Sequence, residues 1–284
     1  VSFSYQGFKD TVNISLLCLS VSDLGSLVTL VWESITVNPL FMESELPFDS
    51  ADVSYLTAAV PRAIFLRVAW WITAFVTLER CLCIAMPLKV KQMITARRTV
   101  VINVVLFAGN LIGLCPIFLC RTLSPQFNLA NNRTIVVTVK SDGFVDIENI
   151  GFTFSVVSQF SAFIIDVVCT VTIIQILQMK SKWRSETAST SASGSKAGFE
   201  SRDKKLIKMI AFKSCIFIGC SMPSCFNYAV TVTMDEYLRH PRYYNVNRIS
   251  WAVIVALEAI NSSVNVFVYY NMSGKYRAAF NEMF

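Results

Sequence analysis

The residues able to do chemistry in this chain sit inside or at the edges of long apolar runs. Asp23 lies midway along one run, in Leu19-Ser20-Val21-Ser22-Asp23-Leu24. Glu79-Arg80-Cys81 closes a second run and is followed by Pro87-Leu88. Pro223 interrupts another, in Cys220-Ser221-Met222-Pro223. The last run holds Glu258, Asn261, Ser262, Asn265, Tyr269 and Tyr270. An ionisable group in such a run is costly, so each is a functional candidate by default. The chemistry they suit is exchange of partners rather than of covalent bonds. A guanidinium beside a carboxylate can trade one partner for another. A proline frees a backbone carbonyl and allows a kink. The lone His240 falls in a connection, and no His/Cys or Ser/His constellation accompanies it. Neither an enzyme nor a metal site is expected.

Helical spacing arranges these groups. Positions 258, 261, 265 and 269 are separated by 3, 4 and 4, which makes one polar stripe down a single face. Such a stripe beside a kinked helix is what a hinge-type switch needs. Arg62 and Arg80 are 18 residues apart, five turns, so they share a face. They are separated by about 27 Å along the axis. Glu258 lies about 10 Å outward of Asn265. Glu33 is ten residues outward of Asp23. Glu33, Arg62 and Glu258 are therefore ligand candidates in the outer half of a bundle. An Arg with two acids suits a zwitterionic or peptide-like ligand, the planar fork gripping a carboxylate. In the alternative, Arg62 pairs with Glu258 or Glu33 and holds helices together, or reaches to the outer interface.

The elements that must position these groups follow from composition. Of 284 residues, 54% are hydrophobic and 15% charged, where a soluble domain carries about 25% charged residues. The apolar runs are long enough to cross a hydrocarbon core, and barrel strands would be half as long and strictly alternating. Six helical spans are predicted, at roughly 10–36, 54–87, 97–120, 150–179, 204–233 and 248–271. Basic residues set their direction. Arg80, Lys89, Lys91, Arg97 and Arg98 mark one connection as cytoplasmic, and Lys180 to Lys208 mark another. The stretch 38–53 carries four acids and no base, so it lies outside. Residues 1–9 then fall inside.

The connection 180–203 contains a Ser/Thr/Ala/Gly stretch and is predicted to be a disordered cytoplasmic loop. Asn132-Arg133-Thr134 is a glycosylation sequon in a loop placed outside on independent grounds, so a glycoprotein is expected. Nine cysteines are spread along the apolar runs without metal-site spacing and are read as packing residues. Residues 273–284 place Tyr276, Phe280, Met283 and Phe284 on one face, which predicts a short amphipathic helix on the inner membrane surface.

Taken together, Asp23, Glu79-Arg80-Cys81, Cys220-Ser221-Met222-Pro223 and Asn265-Val266-Phe267-Val268-Tyr269 resemble the motif set of the rhodopsin-like (class A) G-protein-coupled receptors. The likeness covers the whole chain, with four motifs in order and at matching depths. Phrases such as Phe8-Lys9-Asp10-Thr11-Val12-Asn13 and Glu258-Ala259-Ile260-Asn261-Ser262-Ser263 resemble the molluscan subset described as chemosensory receptors. The resemblance implies an all-α membrane protein, a seven-transmembrane receptor bundle. Six spans are present and the first helix is expected to be missing, with residues 1–9 matching the first cytoplasmic loop. It implies a multi-pass protein of the plasma membrane that passes ligand binding to a heterotrimeric G protein. Arg80 would face the G protein, Glu79 would hold it in an inactive ion pair, and Pro223, Asn265 and Tyr269 would act in the switch. Asp23, Asn261 and Asn265 would form a polar cluster able to take a sodium ion as modulator, with no other cofactor. Implied partners are a small-molecule or peptide ligand, membrane lipids, arrestin and a receptor kinase, and no nucleic acid.

The chain departs from the pattern in places. Ser221 stands where the family has Trp before the helix-six proline, Val266 replaces the proline of the last motif, and Cys81 replaces a Tyr. No Cys occurs at the outer end of the helix carrying Arg80 or inside the loop 121–149, so the family's usual disulfide is absent. A transporter or channel would also keep charges in its spans, but such folds usually show internal repeats, and none is visible here.

Overall fold

A computed structural model describes residues 11–44, 46–86, 89–90, 93–119, 121–128, 133–140, 145–187, 197–234, 241–272 and 281. The apolar runs form helices because a backbone in lipid must satisfy its own hydrogen bonds. In chain order these are α1 (Thr11–Thr36), the short α2 (Pro39–Met42), α3 (Ser50–Ala85), α4 (Ala96–Leu119), α5 (Val145–Thr187), α6 (Ala197–Thr233) and α7 (Tyr244–Met272). α3 passes through a π-helical turn at Tyr55–Ala59. Among the described residues, five helices are long and apolar enough to cross a membrane: α1, α3, α4, α5 and α6. The sixth expected span is the 29-residue α7, in which the side chains of residues 266, 268, 269, 271 and 272 are not described.

Two differences from the expected boundaries stand out. α5 continues to Thr187 and α6 starts at Ala197, so the connection expected over 180–203 is helical at both ends. Its Ser/Thr-rich centre, residues 188–196, lies outside the described residues. The loop after α4 is not irregular. β1 (Arg121–Asn128) and β2 (Arg133–Lys140) pair antiparallel from Arg121↔Lys140 to Asn128↔Arg133. The β-branched run Thr134-Ile135-Val136-Val137-Thr138-Val139 suits a strand, and Pro125 is tolerated because β1 is an edge.

The chain divides into two compact units, the first Val1–Gly7, Asn13–Ile72 and Thr99–Phe160, the second Phe8–Val12, Thr73–Arg98 and Ser161–Phe284. In the first, Leu19, Ile64, Val68, Trp70, Ile72 and Leu114 are buried. So are Ser15, Ser22, Asp23, Ser26, Asn103 and Asn110. The exposed positions of α1 include Leu17, Val21, Leu24, Val28, Val31 and Ile35, at alternating steps of four and three, with Asn13, Ser20, Trp32 and Ser34 beside them. α1 therefore turns its apolar stripe outward and its polar stripe inward, the reverse of a helix in water. Such a helix faces lipid. Polar pairs and small residues join the helices, as expected where lipid removes the hydrophobic drive for association. Asn103 Nδ2 donates to Ser15 Oγ at 3.2 Å, and a Cβ at Gly113 would run into the Phe154 ring.

In the second unit the buried apolar residues include Val76, Ala162, Phe217 and Ile254. Cys81, Cys169, Ile173 and Ala211 form one cluster there, with Ile84 and Ile165 against it. Tyr228 of α6 and Trp251 of α7 meet edge to face at 5.4 Å. No disulfide joins the described cysteines; Cys81, Cys169 and Cys225 are buried, whereas Cys115 and Cys215 are exposed.

Candidate functional site

In the second unit the Glu79-Arg80 pair closes as the sequence suggests. Consecutive side chains on a helix point about 100° apart, yet Arg80 Nη2 reaches Glu79 Oε1 at 3.0 Å. The Glu79 side chain is 3% exposed and that of Arg80 15%. The Thr11 hydroxyl donates to the same Oε1. Glu79 Oε2 and Arg80 Nε are buried and have no hydrogen-bond partner among the described residues. A buried charge pair is stable only when its remaining hydrogen-bonding positions are met. This one is incompletely met and is suited to exchange.

A second polar group in this unit was not singled out from the sequence. Asp166 of α5 is fully buried, and so is Thr77 of α3. Ser214 Oγ of α6 lies 3.0 Å from Thr77 Oγ1 and donates to Asp166 Oδ1 at 3.4 Å. The buried Lys213 of α6 acts on the same carboxylate electrostatically. The signal was available. Asp166 interrupts Phe163-Ile164-Ile165-Asp166-Val167-Val168 as Asp23 interrupts its own run. Lys213 was hidden by the basic run Lys204, Lys205 and Lys208 just before it.

Pro223 lies inside α6. Ser221, Ser224 and Asn227 are buried beside it. On α7, Ser262 and Asn265 are buried, and Glu258 and Asn261, two further members of the expected stripe, are partly so. The side chain of Tyr269 lies outside the described residues, as do Pro87, Leu88, Asn132, His240, residues 1–9 and most of the tail 273–284.

The first unit holds the other candidates. Asp23 is 4% exposed on α1. It belongs to a different unit from Asn261 and Asn265, and each is described with its own. Arg62 Nε meets Glu33 Oε2 at 2.7 Å, joining α3 to α1. Two of the three ligand candidates are thus partners of each other, while Glu258 belongs to the second unit. Deeper on α3, the buried Arg67 donates to Ser155 Oγ of α5 from Nε at 3.1 Å and Nη2 at 3.0 Å. Its guanidinium lies 5.6 Å from the Trp70 ring. Trp71 Nε1 donates to Ser158 Oγ at 2.7 Å, and Ser158 in turn reaches Asn110 Oδ1 at 3.4 Å.

The β-hairpin is fastened to the start of α3 in the same unit. Asp49 N donates to Val136 O and Val136 N to Pro47 O, both at 2.9 Å. Thr138 N donates to Asp52 Oδ2 at 2.8 Å. Asp49 also caps this helix, accepting from Asp52 N, so one short acidic segment both starts α3 and holds the hairpin.

Comparison with known proteins adds one match: residues 1–269 fit the profile of a family described as 7 transmembrane receptor (rhodopsin family). No curated protein matches the chain.

Proposed function

We propose that this chain, which belongs to the rhodopsin family of seven-transmembrane receptors, passes the binding of an extracellular ligand to a heterotrimeric G protein through Arg80. The family gives it a general signalling role as a multi-pass membrane receptor rather than an enzyme. The observation that carries the coupling reading is the buried Glu79–Arg80 pair, pinned by Thr11 and left short of hydrogen bonds at Glu79 Oε2 and Arg80 Nε. A guanidinium held this way can leave its neighbour for a carbonyl or carboxylate of a docking protein. Pro223 supplies the flexibility in α6, and Asn265 and Tyr269 the polar groups that rearrange with it. Arrestin and a receptor kinase would read the same face. The plasma membrane is the compartment where such a chain meets an outside cue and an inside transducer.

The ligand reading rests on Arg62 and Glu33. A small zwitterion or peptide terminus carries both charges needed to replace each partner of that 2.7 Å pair. Glu258 is the third candidate. A water-borne chemical cue fits this chemistry and the chemosensory resemblance. The sodium reading of Asp23, Asn261 and Asn265 rests on the resemblance alone.

The test is nucleotide exchange on purified heterotrimeric G protein by membranes carrying the full chain. Amino acids, short peptides and water-soluble odorants would serve as the ligand panel. Arg80→Ala should reduce exchange while surface expression holds. Unchanged exchange in that variant would count against the coupling role.

A further inference from the structure

We infer that the open edge of β1 is a docking site for an extended, acidic peptide segment, which joins the hairpin as a further strand. The inference goes beyond the receptor reading above and takes from it only that the hairpin stands in water outside the membrane. The edge follows from the pairing. Val136 of β2 turns both of its backbone groups to the segment before α3, its N–H to Pro47 O and its carbonyl to Asp49 N. It therefore faces away from β1, and its partner Pro125 faces away from β2. Backbone direction alternates along an antiparallel strand, so Leu123 and Phe127 face the same way as Pro125, while Ser124 and Gln126 bond to β2. Thr138, opposite Leu123, agrees, because its N–H leaves the hairpin for Asp52 Oδ2. Among the described residues no strand pairs with that side of β1.

The side chains beside that edge are apolar. Leu123, Pro125 and Phe127 share one face of the strand. Leu123 is 63% exposed and Phe127 56%, with Pro125 exposed between them. Lipid accounts for exposed apolar residues on the helices, but it does not cover a polar loop. An open edge lined by apolar side chains is the arrangement that takes an extended peptide as an added strand. Main-chain bonds then give affinity and the side chains give choice. The edge offers both backbone groups of Leu123 and of Phe127, and the carbonyl alone of Pro125.

Charge selects the occupant. Residues 121–140 hold Arg121, Arg133 and Lys140 and no acid. The register sets Arg121 and Lys140 at one end of the hairpin and Arg133 at the other, about 24 Å apart along the eight residues of β1. A second copy of the chain fits this edge badly. Two-fold pairing about Pro125 would set two residues without a donor against each other and bring like charges together. An acidic segment avoids both faults. Its ends meet bases, and at the centre its own N–H donates to the Pro125 carbonyl. The proline thus blunts the edge against self-association without closing it to this partner.

The experiment screens the full chain in detergent against two displayed libraries of peptides about seven residues long, the length of the edge. One library has Asp or Glu at both ends and the other Lys or Arg. Only the acid-ended library should enrich, and the selected peptide is then synthesised. In hydrogen exchange, the amides of Leu123 and Phe127 should be unprotected in the chain alone and gain about tenfold or more with the peptide. Those of Ser124 and Gln126 should be protected throughout. A copy of the peptide N-methylated at the amides that face the edge should bind at least about tenfold more weakly. Phe127→Pro removes an outward donor and spares the bonds to β2, so it should weaken binding about threefold or more beyond Phe127→Ala. If Phe127→Pro loses protection at Ser124 and Gln126, the N-methylated peptide on the wild-type chain decides. No enrichment of acid-ended peptides overturns the docking site. So does a selected peptide that tolerates N-methylation, which would be held by its side chains alone. Nucleotide exchange separates the two readings. Edge binding with these signs in a chain that drives no exchange leaves the docking site standing and defeats the coupling reading. Ligand-driven exchange without edge binding does the reverse.

Discussion

The guanidinium of Arg121 lies 4.1 Å from the ring centroid of Tyr55, stacking the first residue of β1 on the outer end of α3. The resembled family commonly ties this helix end to this loop with a disulfide. Here the tie is a cation–π contact joined by the backbone pairing of Pro47 and Asp49 with Val136 and by the Asp52 carboxylate on Thr138 N. A contact of this kind contributes about 0.5–2 kcal/mol, and a hydrogen bond to a charged group roughly 1.5–3 kcal/mol. Asp52→Asn should lower hydrogen-exchange protection at Val136 and Thr138 by about tenfold or more, the equivalent of ~1.4 kcal/mol. Mild reductant should leave protection in the hairpin unchanged. Loss of protection under reductant would mean that a thiol takes part after all.

Thr11→Val removes the hydroxyl that pins Glu79 Oε1. The hydrogen bond it breaks is to a charged acceptor, worth roughly 1.5–3 kcal/mol in a buried site. Arg80 is then held less firmly, so ligand-free exchange should rise several-fold, and Glu79→Gln should raise it further. Exchange equal to wild type in both variants, at equal surface level, would remove Glu79 from the switch.

Two glycines on α4 make an internal control. Gly109 has open space where a Cβ would go, whereas a Cβ at Gly113 meets the Phe154 ring. Gly109→Ala should be neutral or slightly stabilising, because alanine favours the helix by about 1 kcal/mol. Gly113→Ala should destabilise by about 1–3 kcal/mol through overpacking, and Phe154→Leu should relieve much of that. Thermal unfolding in detergent measures all three. Equal melting points for the two alanine variants would contradict the close approach of α4 and α5.

Arg62→Gln leaves the Glu33 carboxylate, 24% exposed, without its 2.7 Å partner. The pair is partly solvated, so stability should fall by no more than about 1 kcal/mol. Potency of a zwitterionic agonist should fall more, by tenfold or beyond, if its carboxylate takes the guanidinium. A dose–response curve that does not move, in a well-expressed variant, assigns Arg62 to holding α1 and α3 together.

Span positions were legible in the sequence because lipid imposes one strong rule. The first span, expected at 10–36, is α1 at Thr11–Thr36, and the third, expected at 97–120, is α4 at Ala96–Leu119. Where water competes for the backbone the rule weakens. α5 and α6 outrun their apolar cores into the connection between them, because helix continues wherever nothing breaks it and hydropathy does not register this. The hairpin was missed although Ile135-Val136-Val137-Thr138 has strand chemistry, since hydropathy assigned the whole stretch 121–149 to a connection. Among candidate residues, Glu79 and Arg80 stand out in the sequence because they are adjacent charges near the end of a span, and the two side chains do pair. Asp166 obeys the same rule as Asp23 and was passed over. Partner choice is the least legible feature: nothing in the spacing decides whether Arg62 meets Glu33, Glu258 or a ligand.

The outward stripe of α1 also bears on how this protein could be handled. Leu17, Val21, Leu24, Val28, Val31 and Ile35 are exposed, and the contacts that fix α1 to its neighbours come from other positions, such as Ser15 to Asn103 and Glu33 to Arg62. Rewriting such rows with Gln, Thr and Lys, on this helix and on the matching rows of α4, would alter what the protein dissolves in without altering what it binds internally. With the exposed apolar residues of α5, α6 and α7, such as Val168, Phe226 and Ile260, rewritten as well, the fold would become tractable in plain buffer, where calorimetry and titration need no micelle.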